Sequence, residues 1–249
     1  LKKRKHQFFY NILSIAYQNI GKFDLSVQIM EEALQKNSSN PYFLNNMGIS
    51  QHKLENFKEA EEFFKKGLQI APNYINILNN IANLKKDLNL IDEAIDYYKK
   101  SIKINALVIE TQLNLASIYT TIGKFKDAKY HFNKVLEINP KFTEADRLIS
   151  SITEYDEDDF HLKDMLNKIN DKSLNKQQLI HLHFAIGKGF EDIKNYKDSF
   201  INYHKANQYM KEITKYNIDQ DIKDFEYIKN FFKDYQGKAI NKNSKRLIF

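Results

Sequence analysis

Asparagine is the residue whose recurrence could do chemistry in this chain. Asn46, Asn80 and Asn114 stand 34 residues apart, Asn11, Asn45 and Asn79 occupy the position before that row, and Asn83 lies four residues beyond Asn79. A carboxamide offers donors and an acceptor, so a row of them on stacked helices can clamp the main chain of an extended peptide without selecting its side chains. The competing reading is compositional, because asparagine is abundant throughout the chain. Other candidates carry less. His181 and His183 are two residues apart, which on a helix points them to different faces and makes joint metal chelation awkward. Gly187-Lys188-Gly189 lacks the spacing of a phosphate loop and reads as helix packing. The acidic run Asp156 to Asp159 has neither the loop glycine nor the distal glutamate of a calcium loop and reads as a solvated linker. With no cysteine, no paired catalytic carboxylates and no Ser-His-Asp set, no catalytic residue, cofactor site or metal ligand is expected, and this chain is expected not to be an enzyme.

The elements that would position the asparagines follow from composition and period. Only 7 Gly and 3 Pro in 249 residues leave little turn chemistry for an all-β fold and favour closely connected helices. The net charge of +6 comes from lysines interspersed with acidic residues, the pattern of a solvated helical surface; specific nucleic-acid binding is not expected. No stretch has the apolar length of a membrane helix, no signal-peptide core follows the basic start, and the absence of cysteine suits a reducing compartment, so a cytoplasmic location is expected.

The period is 34 residues. Phe23, Phe57, Ile91 and Phe125 form one column; Ser26, Ala60, Ala94 and Ala128 form a small one three positions on; Met30, Phe64, Tyr98 and Phe132 form a large one; Ala33, Gly67, Ser101 and Val135 form another small or branched one. Upstream, Leu13, Met47, Ile81 and Leu115 precede Ser14, Gly48, Ala82 and Ala116. Small residues where helices cross let backbones approach, and bulky residues one turn away fill the remaining gap. Pro41, Pro72 and Pro140 fall at the junctions, where a missing N–H is tolerated.

At these residues the sequence resembles the tetratricopeptide repeat family over 7–142, as four repeats (7–40, 41–74, 75–108 and 109–142). It departs from the family's first aromatic position at Leu44, Leu78 and Gln112 and from its tyrosine at Gln51 and Lys85. The resemblance implies an all-α fold, a right-handed superhelical solenoid of hairpins whose first helices line a concave groove. Its implied partner is a protein or peptide held by Asn11, Asn45, Asn46, Asn79, Asn80, Asn83 and Asn114. This ladder is similar to that in the repeat domain of O-linked N-acetylglucosamine transferases. Asn76 and Asn80 replace the two cations that carboxylate-clamping members use, so a charged clamp is not implied. Beyond the repeats, 143–179 reads as a further helix over 143–153, an acidic break and a short helix over 161–169. Residues 180–213 read as a degenerate fifth hairpin, 214–235 as a capping helix with Ile222, Phe225, Ile228 and Phe232 as its stripe, and 236–249 as a basic tail.

The segment from His181 to Met210, with Tyr196, Tyr203, His204, Lys205, Ala206 and Asn207, is similar to part of bacterial repeat-containing sulfotransferases, and Lys245 to Phe249 looks like the lead-in to their α/β domain. That resemblance implies a covalently linked C-terminal sulfotransferase domain, with this chain as its substrate-positioning arm. The alternative is a stand-alone adaptor.

Overall fold

The computed structural model describes residues 2–214 and 217–235, and within them the chain is helical with no strand. The first four hairpins pair α1 (Lys2–Asn19) with α2 (Phe23–Lys36), α3 (Pro41–Lys53) with α4 (Phe57–Ile70), α5 (Ile75–Asp87) with α6 (Ile91–Ile104), and α7 (Ile109–Thr121) with α8 (Phe125–Ile138). There follow α9 (Thr143–Ser151), α10 (Phe160–Lys168), α11 (Lys176–Asp192), α12 (Tyr196–Thr214) and α13 (Ile218–Tyr235).

The residue columns explain where helices begin and how they close. Pro41 opens α3, with the Asn40 side chain accepting from the Tyr42 N–H at 2.9 Å, and Phe23, Phe57, Ile91 and Phe125 each open a second helix. The turns before them repeat one left-handed backbone position, at Gly21 (φ 71), Glu55 (φ 63), Asn89 (φ 59) and Gly123 (φ 72), and again at Lys194 (φ 61) before α12. This lets the chain reverse within three residues. On the second helix of each hairpin the large column, Met30, Phe64, Tyr98 and Phe132, and the small column, Ser26, Ala60, Ala94 and Ala128, are both buried. Ala94 has no accessible surface. Its replacement by Leu is expected to overpack the α5/α6 crossing and cost roughly 1–3 kcal/mol; an unchanged thermal melt would contradict this packing.

The helices stack in chain order, each second helix resting on the next first helix. Neighbouring first helices also meet (α1 with α3, α3 with α5, α9 with α11) more closely than second helices do, so the array bends toward the first helices. After α8 the order changes: α11 packs directly on α9, and α10 nests against α11 through Leu162 and Met165. The last hairpin begins at Lys176 rather than at 180, because Asn175 and Gln178 form a reciprocal capping box.

The capping role expected of 214–235 needs correction. A helix is present as α13, yet Ile222, Phe225, Ile228 and Phe232 are exposed rather than folded onto the array. An apolar stripe shows that a helix has a face to cover, but contains nothing about which surface covers it. The basic tail 236–249, including the lead-in Lys245 to Phe249, lies outside the described residues. No helix among the described residues is long and apolar enough to cross a membrane.

Candidate functional site

The first helices bring the predicted asparagines together, but in two layers. Asn45, Asn46 and Asn79, expected to face a ligand, are instead buried, while Asn11, Asn80, Asn83 and Asn114 are half-buried. The 34-residue period sets which residues share a column, but the bend of the array sets how far each column turns inward.

The inward amides are fully engaged across repeats. Asn80 Nδ2 donates to Asn45 Oδ1 at 2.8 Å, Asn45 Nδ2 to Asn46 Oδ1 at 3.4 Å, and Asn46 Nδ2 to Asn11 Oδ1 at 2.6 Å. One amide chain thus runs through α5, α3 and α1. Asn79 separately ties α5 to α7, donating to Thr111 Oγ1 at 2.8 Å. Asn83 accepts from the Tyr98 hydroxyl, and burial pushes that phenol above its ordinary pKa. Each bond satisfies a group that would otherwise be costly to bury. Asn80, Asn83 and Asn114 remain half-buried, and Asn11 lies at a hollow of about 420 Å³ that Asn37, Asn40 and Tyr42 also line.

Two ion networks were not legible beforehand. Lys85, at the family's tyrosine position, is buried between Glu61 Oε1 and Glu93 Oε2, each at 3.0 Å; burial opposes its charge, yet the two carboxylates raise its pKa above the usual lysine value. Asp146 of α9 has no accessible surface. Its carboxylate accepts from Lys168 Nζ at 2.9 and 3.0 Å and lies 3.1 Å from His161 Nε2, whose Nδ1 is 2.7 Å from the Tyr155 hydroxyl. This network holds α10 near the fourth hairpin, leaving a cleft of about 600 Å³ between α8 and α10.

His183 is buried, 2.8 Å from Asn202 Oδ1 and stacked on Tyr209, and His181 sits beside Thr143 and Gln177. Burial lowers both pKa values, so both are neutral near pH 7. A Cβ on Gly187 would come within 2.8 Å of the Tyr203 ring, and one on Gly189 within 2.6 Å of Leu162, so this stretch is a site of close helix approach. Asp159 caps α10, accepting from the His161 and Leu162 N–H groups at 2.8 and 3.3 Å. No cluster of three His, Asp or Glu side chains among the described residues could hold a metal ion.

Stacked hairpins with an amide-lined inner face define an all-helical repeat solenoid, a class of interaction scaffold. Residues 41–74, 75–106 and 109–142 match models of the tetratricopeptide repeat, and these three segments are tetratricopeptide repeats. The 7–40 hairpin shares their columns but lies outside the matched segments. The fold is similar to that of pilF from Pseudomonas aeruginosa, at a TM-score of 0.63 and 17% identity, covering 91% of this chain and 100% of that one. It is also similar to TTC0263, a thermophilic TPR protein of Thermus thermophilus, at a TM-score of 0.53 and 15% identity, covering 81% and 99%. A MamA RS-1 double mutant is similar at a TM-score of 0.52 and 12% identity, covering 83% and 95%. No curated protein matches the chain.

Proposed function

We infer that the chain is a protein-interaction scaffold that holds an extended segment of its partner in the concave groove. The observation that carries this reading is the state of the outer amides. One N–H of Asn80 is held by the buried Asn45, which fixes the side chain while leaving its carbonyl and second N–H available to a peptide main chain. Asn114 and Asn83 continue the row in the next turns of the groove. The arrangement supports main-chain recognition and gives no sign of selection by charge.

The test separates binding from folding. Asn114→Ala is expected to leave stability within about 0.5 kcal/mol, as a partly exposed substitution, and to reduce partner retention in a pull-down by several-fold. Asn80→Ala should lower both stability and retention, because it strands the buried Asn45 Oδ1 at a cost of about 1–3 kcal/mol. Full retention of the partner by Asn114→Ala, together with its loss on substituting exposed residues of the second helices, would move the binding face to the outside of the array. The finer proposal, that this groove positions acceptors for a linked sulfotransferase domain, draws on the resemblance over 181–210 and 245–249. Reading the source frame past Phe249 for a Gly-x-Pro-Arg-Ser-Gly-Thr loop decides between it and a stand-alone adaptor.

A further inference from the structure

One uncovered apolar face lies at the first end of the stack and another on α13, and neither belongs to the groove. At the first end the 34-residue register supplies an internal standard. Phe9 is 63% exposed, whereas its equivalents Phe43 and Ile77 are at 1% and 0%; Leu13 is 40% exposed, whereas Met47, Ile81 and Leu115 are at 2%, 0% and 0%. Ala16 is likewise exposed where Ser50, Leu84 and Ile118 are buried. Within the array these positions are covered by the second helix of the preceding hairpin, as Met30 and Ala33 of α2 cover Phe43 and Met47 of α3. The face of α1 is therefore shaped to receive an amphipathic helix.

The amphipathic α13 is such a helix. Ile218, Ile222, Phe225, Ile228 and Phe232 recur at three- and four-residue intervals and are 48–72% exposed, one continuous stripe. Charge matches the two and argues against like pairing. The sequence of α1 opens with Lys2, Lys3, Arg4 and Lys5 and contains no acidic residue, while that of α13 has five acidic residues (Asp219, Asp221, Asp224, Glu226 and Asp234) against three lysines (Lys223, Lys229 and Lys233). Pairing α1 with α1 would join two purely cationic helices, whereas α1 against α13 brings opposite signs together. Within its own chain α13 makes no extensive contact with α1 or with any other described helix.

We propose that α13 of one copy docks on the α1 face of a second copy, joining the arrays head to tail. Such a contact is heterologous, so it propagates as an open chain unless its rotation closes a ring.

The experiment is a complementation by sedimentation velocity on the full chain. The wild type is expected to associate as its concentration rises, and more weakly at high salt. Two variants, Phe9→Glu with Leu13→Glu and Ile222→Glu with Phe225→Glu, alter exposed residues and are expected to keep the wild-type helical circular dichroism and melt. Each alone is expected to be monomeric. Mixed in equal amounts they should form a dimer and nothing larger, because the intact α13 of the first meets the intact α1 of the second. A wild type that stays monomeric at every concentration, a variant that associates as the wild type does, or a mixture that remains monomeric would each overturn the proposal. The second of these outcomes indicates like-with-like pairing, and the third indicates that α13 serves its own chain or another protein.

Discussion

Lys168→Met is expected to destabilise the junction between the fourth hairpin and the last by about 3–5 kcal/mol. The reason is Asp146, which has no accessible surface and takes two hydrogen bonds from the Lys168 ammonium. Removing the cation leaves a buried carboxylate with His161 as its remaining neighbour, and the desolvation of that charge is then poorly offset. Substituting both partners, Asp146→Leu with Lys168→Met, removes the charge and should recover most of the loss. Because repeat arrays open in parts, the measurement is hydrogen exchange of the α9, α10 and α11 amides rather than one global melt. Protection falling there by two orders of magnitude or more in the single variant, and returning in the double, is the expected pattern. Equal protection in the wild type and the single variant would show that Asp146 does not depend on Lys168.

The second large effect lies in the regular repeats and involves a change of sign. Phe64 is fully buried, and Phe64→Ala is expected to cost about 3–5 kcal/mol through lost transfer energy and the cavity left behind. Gly48 faces that ring: a Cβ added there would lie 2.4 Å from Phe64 Cε1. In the wild type, Gly48→Ala should therefore cost about 1–3 kcal/mol by forcing the ring aside. Once the ring is gone the same substitution should stabilise by about 0.5–1 kcal/mol, since alanine is the better helix residue and fills part of the cavity. Denaturation of the four proteins of this cycle checks it. Additive effects would mean that Gly48 is not there to accommodate Phe64.

The hairpins were legible because their signal is repeated. No single small residue demonstrates a helix crossing, but Ser26, Ala60, Ala94 and Ala128 at one spacing, each four residues before a bulky side chain, leave few other structures that bury them all. The asparagine columns were equally visible, yet their division into a buried and a half-buried layer was not. Adjacent positions such as Asn45 and Asn46 differ in direction by about 100° around a helix, and which of them meets solvent depends on the curvature of the stack. The Asp146, His161 and Lys168 network could not be read, because its members come from a part of the chain that occurs once and lie 15 and 22 residues apart. The capping box at Asn175 and Gln178 was readable as an Asn-x-x-Gln start and would have placed the first residue of α11 correctly. The exposed stripe of α13 marks the limit of pattern reading, since amphipathicity identifies a face and leaves its occupant to other arguments.

The three-residue turns bear on how the array comes into being. Residues 20–22, 54–56, 88–90 and 122–124 are all that separate the two helices of each regular hairpin, so closing one requires a loop closure of the fast kind, on the order of tens of nanoseconds, followed by helix growth within about a microsecond. A ribosome adding about 5–20 residues per second takes roughly 2–7 s to deliver a 34-residue repeat. Synthesis is thus slower than hairpin closure by about six orders of magnitude. Once two or three repeats have emerged they can stack without waiting for any distant segment. The array is expected to be laid down from α1 outward, each newly made first helix finding its template already in place on the hairpin before it.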